Sequence, residues 1–246
     1  METMTRTLAT SKDRKVANVV TANGKQAAIS NTMGLANGKA FSCMGATEYC
    51  ESICYAGKLE NLFKGVGAQM LANWNALKDA TLSEMLYMLD GVISKFVAES
   101  KKHNADMIYR IHWDGDFFNE DYVTAWEAII REYSMVQFWV YTRNAYAAIQ
   151  LSKAELPNLS LYFSADPNNY PVASMLYRVY GIRYAVVADT FADAQEISKS
   201  ISGKPAGKCP EQLGRVDLIN ANGSACATCR LCVDNKANIA FSRSKK

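Results

Sequence analysis

Five runs rich in β-branched and aromatic residues alternate with amphipathic helical runs along this chain, and that alternation limits the fold more than any other feature. The strand-like runs are KQAAISNTM (25–33), DMIYRIHWD (106–114), VQFWVYTRN (136–144), LSLYFSADP (159–167) and RYAVVADT (183–190). A helix starts at Thr81, where Leu82, Met85, Leu86, Leu89, Ile93, Phe96 and Val97 recur at helical spacing. Glu84, three residues after Thr81, supplies the other half of a capping box. Further helical runs fall at 122–133, 145–156, 172–180 and 192–201. Strands spaced by helices at steps of roughly 25 to 30 residues predict βαβ units and a parallel sheet. ANIAFSR (237–243) reads as a last strand.

A doubly wound sheet and a barrel both satisfy this alternation. Polar residues gather where successive strands end: Asn31; Arg110, His112, Asp114 and Asp116; Tyr141, Thr142 and Arg143; Ser164 and Asp166; Asp189. A barrel collects such ends in one ring around its mouth, so the expectation is a partial or complete parallel (β/α) barrel. The expected organisation is a loosely ordered segment 1–25, a barrel-like domain 26–200 and a cysteine-rich segment 201–246 packed on it.

All seven cysteines fall in two places: Cys43, Cys50 and Cys54 after the first strand, and Cys209, Cys226, Cys229 and Cys232 near the end. The start of the chain has no apolar signal region, and no apolar run approaches the ~20 residues that cross a bilayer. These features predict a cytoplasmic protein without a membrane partner. Clustered thiols in a reducing compartment read as metal or catalytic sites rather than disulfides. The net charge of +3 gives no indication of nucleic-acid binding.

C-x2-C-x2-C at 226, 229 and 232 is the spacing that wraps three corners of a cubane iron–sulfur cluster. Cys209, followed by Pro210, is the expected fourth ligand. Zinc competes, although structural zinc sites favour two separated ligand pairs. The first group, C-x6-C-x3-C, has three thiols and no nearby fourth. Either it holds a second [4Fe-4S] cluster with one open iron, or both groups serve one cluster, or the loop is structural. An open iron takes a chelating ligand, for which S-adenosylmethionine is the candidate.

RIHWDGDF places Arg110, His112, Asp114 and Asp116 on alternating positions, which predicts one polar strand face. His112, Asp114, Asp116 and Arg143 are the candidate catalytic residues. Tyr55, Arg110, Tyr141 and Asp166 are the candidate cofactor-binding residues. A salt bridge from Arg143 to Asp114, Asp116 or Asp166 is the alternative to ligand binding.

Three clustered cysteines after the first strand, with a four-cysteine group at the end, resemble the radical S-adenosylmethionine enzymes that carry an auxiliary cluster. That family normally has C-x3-C-x2-C and a Gly-Gly-Glu stretch; this chain has C-x6-C-x3-C and WDGDF at 113–117. SCMGATEYCESICYAGK, RIHWDGDFFN, YTRN and CATCRLC…IAFSR more closely resemble a family of bacteriophage-encoded iron–sulfur proteins. The resemblance implies one or two [4Fe-4S] clusters, a host-cytoplasmic setting, and a small molecule or electron-transfer partner. Two functions are expected from it: a radical S-adenosylmethionine-like enzyme, or a non-enzymatic cluster protein for electron transfer, redox sensing or host-partner binding. A structural zinc protein is the third.

Overall fold

A computed structural model describes residues 7–16, 28–220 and 223–243. Residues 1–6 and 17–25 of the segment expected to be loosely ordered lie outside the described residues, as do 25–27 of the first expected strand. Residues within 7–16 are docked. Ser11 bridges Thr32, and the Ala9 amide donates to Asn73 Oδ1 at 2.8 Å.

Seven strands form one sheet. In chain order they are β1 (Thr32–Met33), β2 (Ile108–His112), β3 (Gln137–Thr142), β4 (Leu159–Ala165), β5 (Arg183–Ala188), β6 (Gly207–Lys208) and β9 (Ile239–Ser242), arranged β1-β2-β3-β4-β5-β9-β6 with parallel pairing. A small antiparallel ladder joins β7 (Ile219–Asn220) to β8 (Gly223–Ser224). The sheet is open, which corrects the expectation of a partial or complete barrel. Its two edges are strands of only two residues each, too short to offer a ladder across the gap.

The long helices are α4 (Leu82–Lys102), α5 (Glu120–Glu132), α6 (Ala145–Lys153), α7 (Tyr170–Tyr180) and α8 (Phe191–Ser202). Thr81 with Glu84 and Thr190 with Asp193 close capping boxes on α4 and α8. Gly181, at φ +68°, ends α7 in the left-handed region that glycine enters without a Cβ penalty. From β1 to β5 each strand adds beside its predecessor in one direction. Right-handed crossovers then put α4 to α8 on the same face.

That face holds the main core. Tyr109, Ile111, Phe138, Val140, Leu161, Phe163, Tyr184, Val186 and Ala240 meet Trp126, Ile130, Leu151, Leu176 and Ile201 from the helices. The alternate residues Ile108, Trp139, Tyr162, Ala185 and Ile239 point the other way. Having no helix layer, this second face is covered by Val16 and the C-terminal cysteine segment around Leu231, Cys232 and Val233. Tyr162 clamps that segment by donating to the Leu231 and Ala237 carbonyls at 3.2 and 3.1 Å.

Three helices absent from the sequence expectations fill the stretch after β1: α1 (Glu48–Ile53), α2 (Tyr55–Leu62) and α3 (Lys64–Leu77). The first two are short, and α3 carries Gly65 and Gly67, so none shows a strong apolar period.

Candidate functional site

The first cysteine loop lies across the C-terminal ends of the strands. Gly45 sits where a Cβ would come within 2.4 Å of the Arg143 carbonyl, so only glycine lets the loop approach the end of β3 this closely. Thr47 Oγ1 donates to Asp166 Oδ2 at 2.6 Å, just beyond β4. The Tyr49 hydroxyl donates to Asp189 Oδ1 at 3.0 Å, beyond β5. Tyr55 donates to the Trp113 carbonyl at 2.7 Å, beyond β2. The Asp116 amide donates to Ser42 Oγ at 3.3 Å.

These contacts hold the three thiols over the end of β2. Cys54 caps α2 by accepting from the Gly57 amide at 3.3 Å, and it lies in the field of both Asp114 and Cys50. Cys43 lies in the field of Asp116 and Asp114. Burial pushes the Cys43 thiol up to about 12, reinforced by Asp116, and burial also raises Cys54. Asp114 is 3% exposed. Burial, with Glu60 beside it, lifts its carboxyl well above the usual range.

Asp116 organises the turn. It accepts from Thr142 Oγ1 at 2.6 Å, the Arg143 amide at 2.7 Å and the Phe117 amide at 2.8 Å. Its burial raises the carboxyl, and these donors act against that rise. Arg143 pairs with fully buried Asp166 at 3.1 Å and donates to the Ser164 carbonyl at 2.6 Å. The salt-bridge alternative for Arg143 is therefore what its side chain makes.

The alternation expected from RIHWDGDF breaks inside β2. Thr32 stands opposite Arg110 and Met33 opposite His112, so β2 carries an extra residue. Arg110 faces the cysteine segment and lies over Trp139, with 5.4 Å to the ring centroid. His112 turns into the helix-side core, stacked on Tyr122 and edge-on to Phe117, with Nε2 2.9 Å from the Tyr122 hydroxyl. Burial lowers its pKa to about 3, so it is a neutral core imidazole at physiological pH. The four residues do not share one strand face.

The second cysteine group is built against the bare face of the sheet. Cys226 and Cys229 stand on α9 (Ala225–Cys229), and Arg230, at φ +56°, turns the chain sharply toward Cys232. Cys209 enters from the other side, its amide donating to the Ala240 carbonyl of β9 at 3.0 Å. The thiols lie within one another's electrostatic reach, Cys226 with Cys232 and Cys209, and Cys232 with Cys209 and Cys229. Burial raises Cys209, Cys226 and Cys232, the last to about 12.

Donors surround these sulfurs. The Gln212 and Glu211 amides near Cys209, and the Tyr141 hydroxyl near Cys232, act against that rise. Lys15 lies in the field of Cys226, and its carbonyl accepts from the Cys226 amide at 2.8 Å and Ser224 Oγ at 2.7 Å. Among the described residues, no three His, Cys, Asp or Glu side chains converge closely enough to hold a metal ion. No described helix is long and apolar enough to cross a membrane.

Sequence reasoning missed Asp13, Lys15, Thr47 and Glu60. Asp13 pairs with Arg110 at 2.7 Å, and Glu60 Oε1 accepts from the Asn37 amide at 3.1 Å. Each reaches its site through a contact distant in the chain, and of the four only Thr47 lies in a quoted motif.

The family model described as Gene product 88 matches residues 5–235. The Gene 88 protein of Mycobacterium phage D29 is 46% identical over 240 residues, covering 96% of this chain and 98% of the relative. That of Mycobacterium phage L5 is 45% identical over 239 residues, with the same coverage. No solved structure matches. A match that spans both cysteine groups, shared with phage relatives of almost the same length, places this chain in the gene product 88 family.

Proposed function

We propose that this protein is an iron–sulfur protein whose Cys209, Cys226, Cys229 and Cys232 hold a [4Fe-4S] cluster. The observation that supports the reading is the packing of Cys209, Cys226 and Cys232, from two separated stretches, against one sheet face, with Cys229 within electrostatic reach of Cys232 and the Gln212, Glu211 and Tyr141 donors near the sulfurs. Such donors, burial and nearby cations are the levers by which a protein sets a cluster's potential. The four thiolates of a cubane each bind a different iron, so they ring the cluster instead of converging on one point.

The raised thiol pKa values fit the same donor set. Ligation releases the thiol protons, so iron uptake would offset the burial that disfavours the thiolates. A bound cluster supplies one-electron transfer. Tyr141 would donate to the Cys232 sulfur, Lys15 and Arg110 would balance negative charge, and Val16 and Val233 would keep water from this face.

Cys43, Cys50 and Cys54 support the enzymatic form of the reading, because they lie at the strand ends beside Asp114, where α/β proteins bind small ligands. There they would hold a second cluster open to S-adenosylmethionine or a similar chelating ligand. The runner-up is a single-cluster electron carrier. Both belong in the reducing cytoplasm of the infected cell.

Iron and sulfide analysis after oxygen-free purification tests the proposal. About eight irons per chain support two clusters and about four support one. Stoichiometric zinc without iron removes both forms. If added S-adenosylmethionine leaves the spectrum of the reduced protein unchanged, the enzymatic form fails and the electron-carrier form stands.

A further inference from the structure

The first thiol loop occupies only one end of the sheet. At the opposite end, where β4 and β5 begin, a cavity of about 210 Å³ lies between the α6–β4 loop, the end of α7 and the C-terminal cysteine segment. Its apolar wall is formed by the buried side chains of Leu151, Leu156, Leu161 and Ile182. Glu155, Arg183 and Asn235 line the same space. Ser152 lines it too, but its hydroxyl is already engaged with the Tyr180 carbonyl at 3.4 Å.

The backbone around the cavity is fixed. Asn158 Nδ2 donates to the Ile130, Tyr133 and Val136 carbonyls at 2.9, 3.2 and 3.0 Å, which pins the loop from α6 to β4. Glu155 at φ +50° and Asn235 at φ +52° hold the left-handed region, where a residue with a Cβ persists only when its surroundings hold it there. The Asn235 amide donates to the Cys232 carbonyl at 3.2 Å and closes the turn that brings this side chain to the cavity.

Two polar groups of the lining are unmatched. Asn235 Oδ1 is buried with no hydrogen-bond partner. The half-buried Arg183 guanidinium makes no hydrogen bond or ion pair among the described residues. A buried acceptor without a donor is costly, and folded proteins keep few of them. A guanidinium is permanently charged, and its planar fork of donors matches a carboxylate. Glu155, exposed at the rim, supplies the opposite charge. A phosphate ion would leave the apolar wall and Asn235 Oδ1 unused, and a simple fatty acid would bring no donor for Asn235.

We propose that this cavity binds a small apolar α-amino acid of the size of valine or leucine. Its carboxylate would sit on Arg183, its ammonium on Asn235 Oδ1 and Glu155, and its hydrocarbon side chain against the leucine wall. The site stands apart from the first thiol loop, and the proposal does not rest on the iron–sulfur reading.

The test is calorimetric titration of the full chain with L-leucine and with two analogues of the same carbon skeleton. One is 4-methylpentanoate, which lacks the ammonium, and the other is 3-methylbutylamine, which lacks the carboxylate. Leucine should bind saturably, and each analogue should bind about tenfold more weakly or worse, since each forfeits a charged hydrogen bond. Arg183→Gln should weaken leucine by a similar factor and leave 3-methylbutylamine unchanged. Glu155→Gln should weaken leucine severalfold and leave 4-methylpentanoate unchanged.

No saturable heat from leucine or valine up to about 10 mM overturns the proposal, because weaker binding would leave the charged contacts contributing almost nothing. Unaltered leucine affinity in Arg183→Gln overturns it as well, as does 4-methylpentanoate binding as tightly as leucine. Should Arg183→Gln not fold, the exposed Glu155→Gln variant and the two analogues decide.

Discussion

Asp166 shows what single residues contribute at the strand ends. Its carboxylate is fully buried and is met by Arg143, by Thr47, and by the Asn168 and Asn169 amides. Removing one partner from a buried pair leaves a charge with too little compensation. Arg143→Ala should destabilise the protein by about 3 kcal/mol, read from its urea midpoint. An unchanged midpoint would mean that the Thr47 and backbone donors suffice. Asp114 makes the complementary prediction. Its carboxyl stays protonated in the folded chain well above the usual value of about 4, at which it ionises when unfolded. Unfolding therefore releases a proton across that interval, so this group's contribution to stability is full below pH 4 and is lost as pH rises. In metal-free protein, Asp114→Asn should be more stable than the parent at pH 8 and near parity at pH 4. The opposite order would show that Asp114 is ionised in the fold.

At the scale of elements, strands and long helices were legible because each carries its own period and punctuation. β3 to β5 alternate between a helix-facing and a cysteine-facing side, and α4 and α8 announce their starts with capping boxes. The extra residue in β2 was not legible, since it arises from pairing with β1 and leaves no mark in RIHWDGDF. It sends His112 into the core and spoils the expected polar face. Helices α1 to α3 escaped notice because the loop they form is fixed by tertiary contacts more than by its own pattern. Gly45 is the clearest of those contacts. Gly45→Ala forces its Cβ onto the Arg143 carbonyl, so the first thiol loop should lift while the sheet stays folded. The measurable outcome is faster alkylation of Cys43, Cys50 and Cys54, with the rates at Cys226 and Cys232 unchanged. Equal acceleration at all five would show that the two groups are one cooperative unit.

For the molecule as a whole, the open sheet explains why two thiol groups exist in separate settings. Unidirectional strand order from β1 to β5 puts α4 to α8 on one face and leaves the other without a helix layer. The C-terminal cysteine segment covers that bare face, and the first cysteine loop covers the strand ends. The grouping of seven thiols into three and four was readable from spacing alone; the open sheet was not, because alternation of strands and helices is the same for open and closed sheets. The central claim is that the C-terminal four thiols hold a cluster independently of the first three. Iron and acid-labile sulfide in a Cys43→Ala/Cys50→Ala/Cys54→Ala variant, purified without oxygen, test it most directly. The account predicts about four irons and four sulfides per chain, with a brown colour that Cys226→Ala abolishes. Colourless protein, or a variant that retains zinc in place of iron, would contradict it.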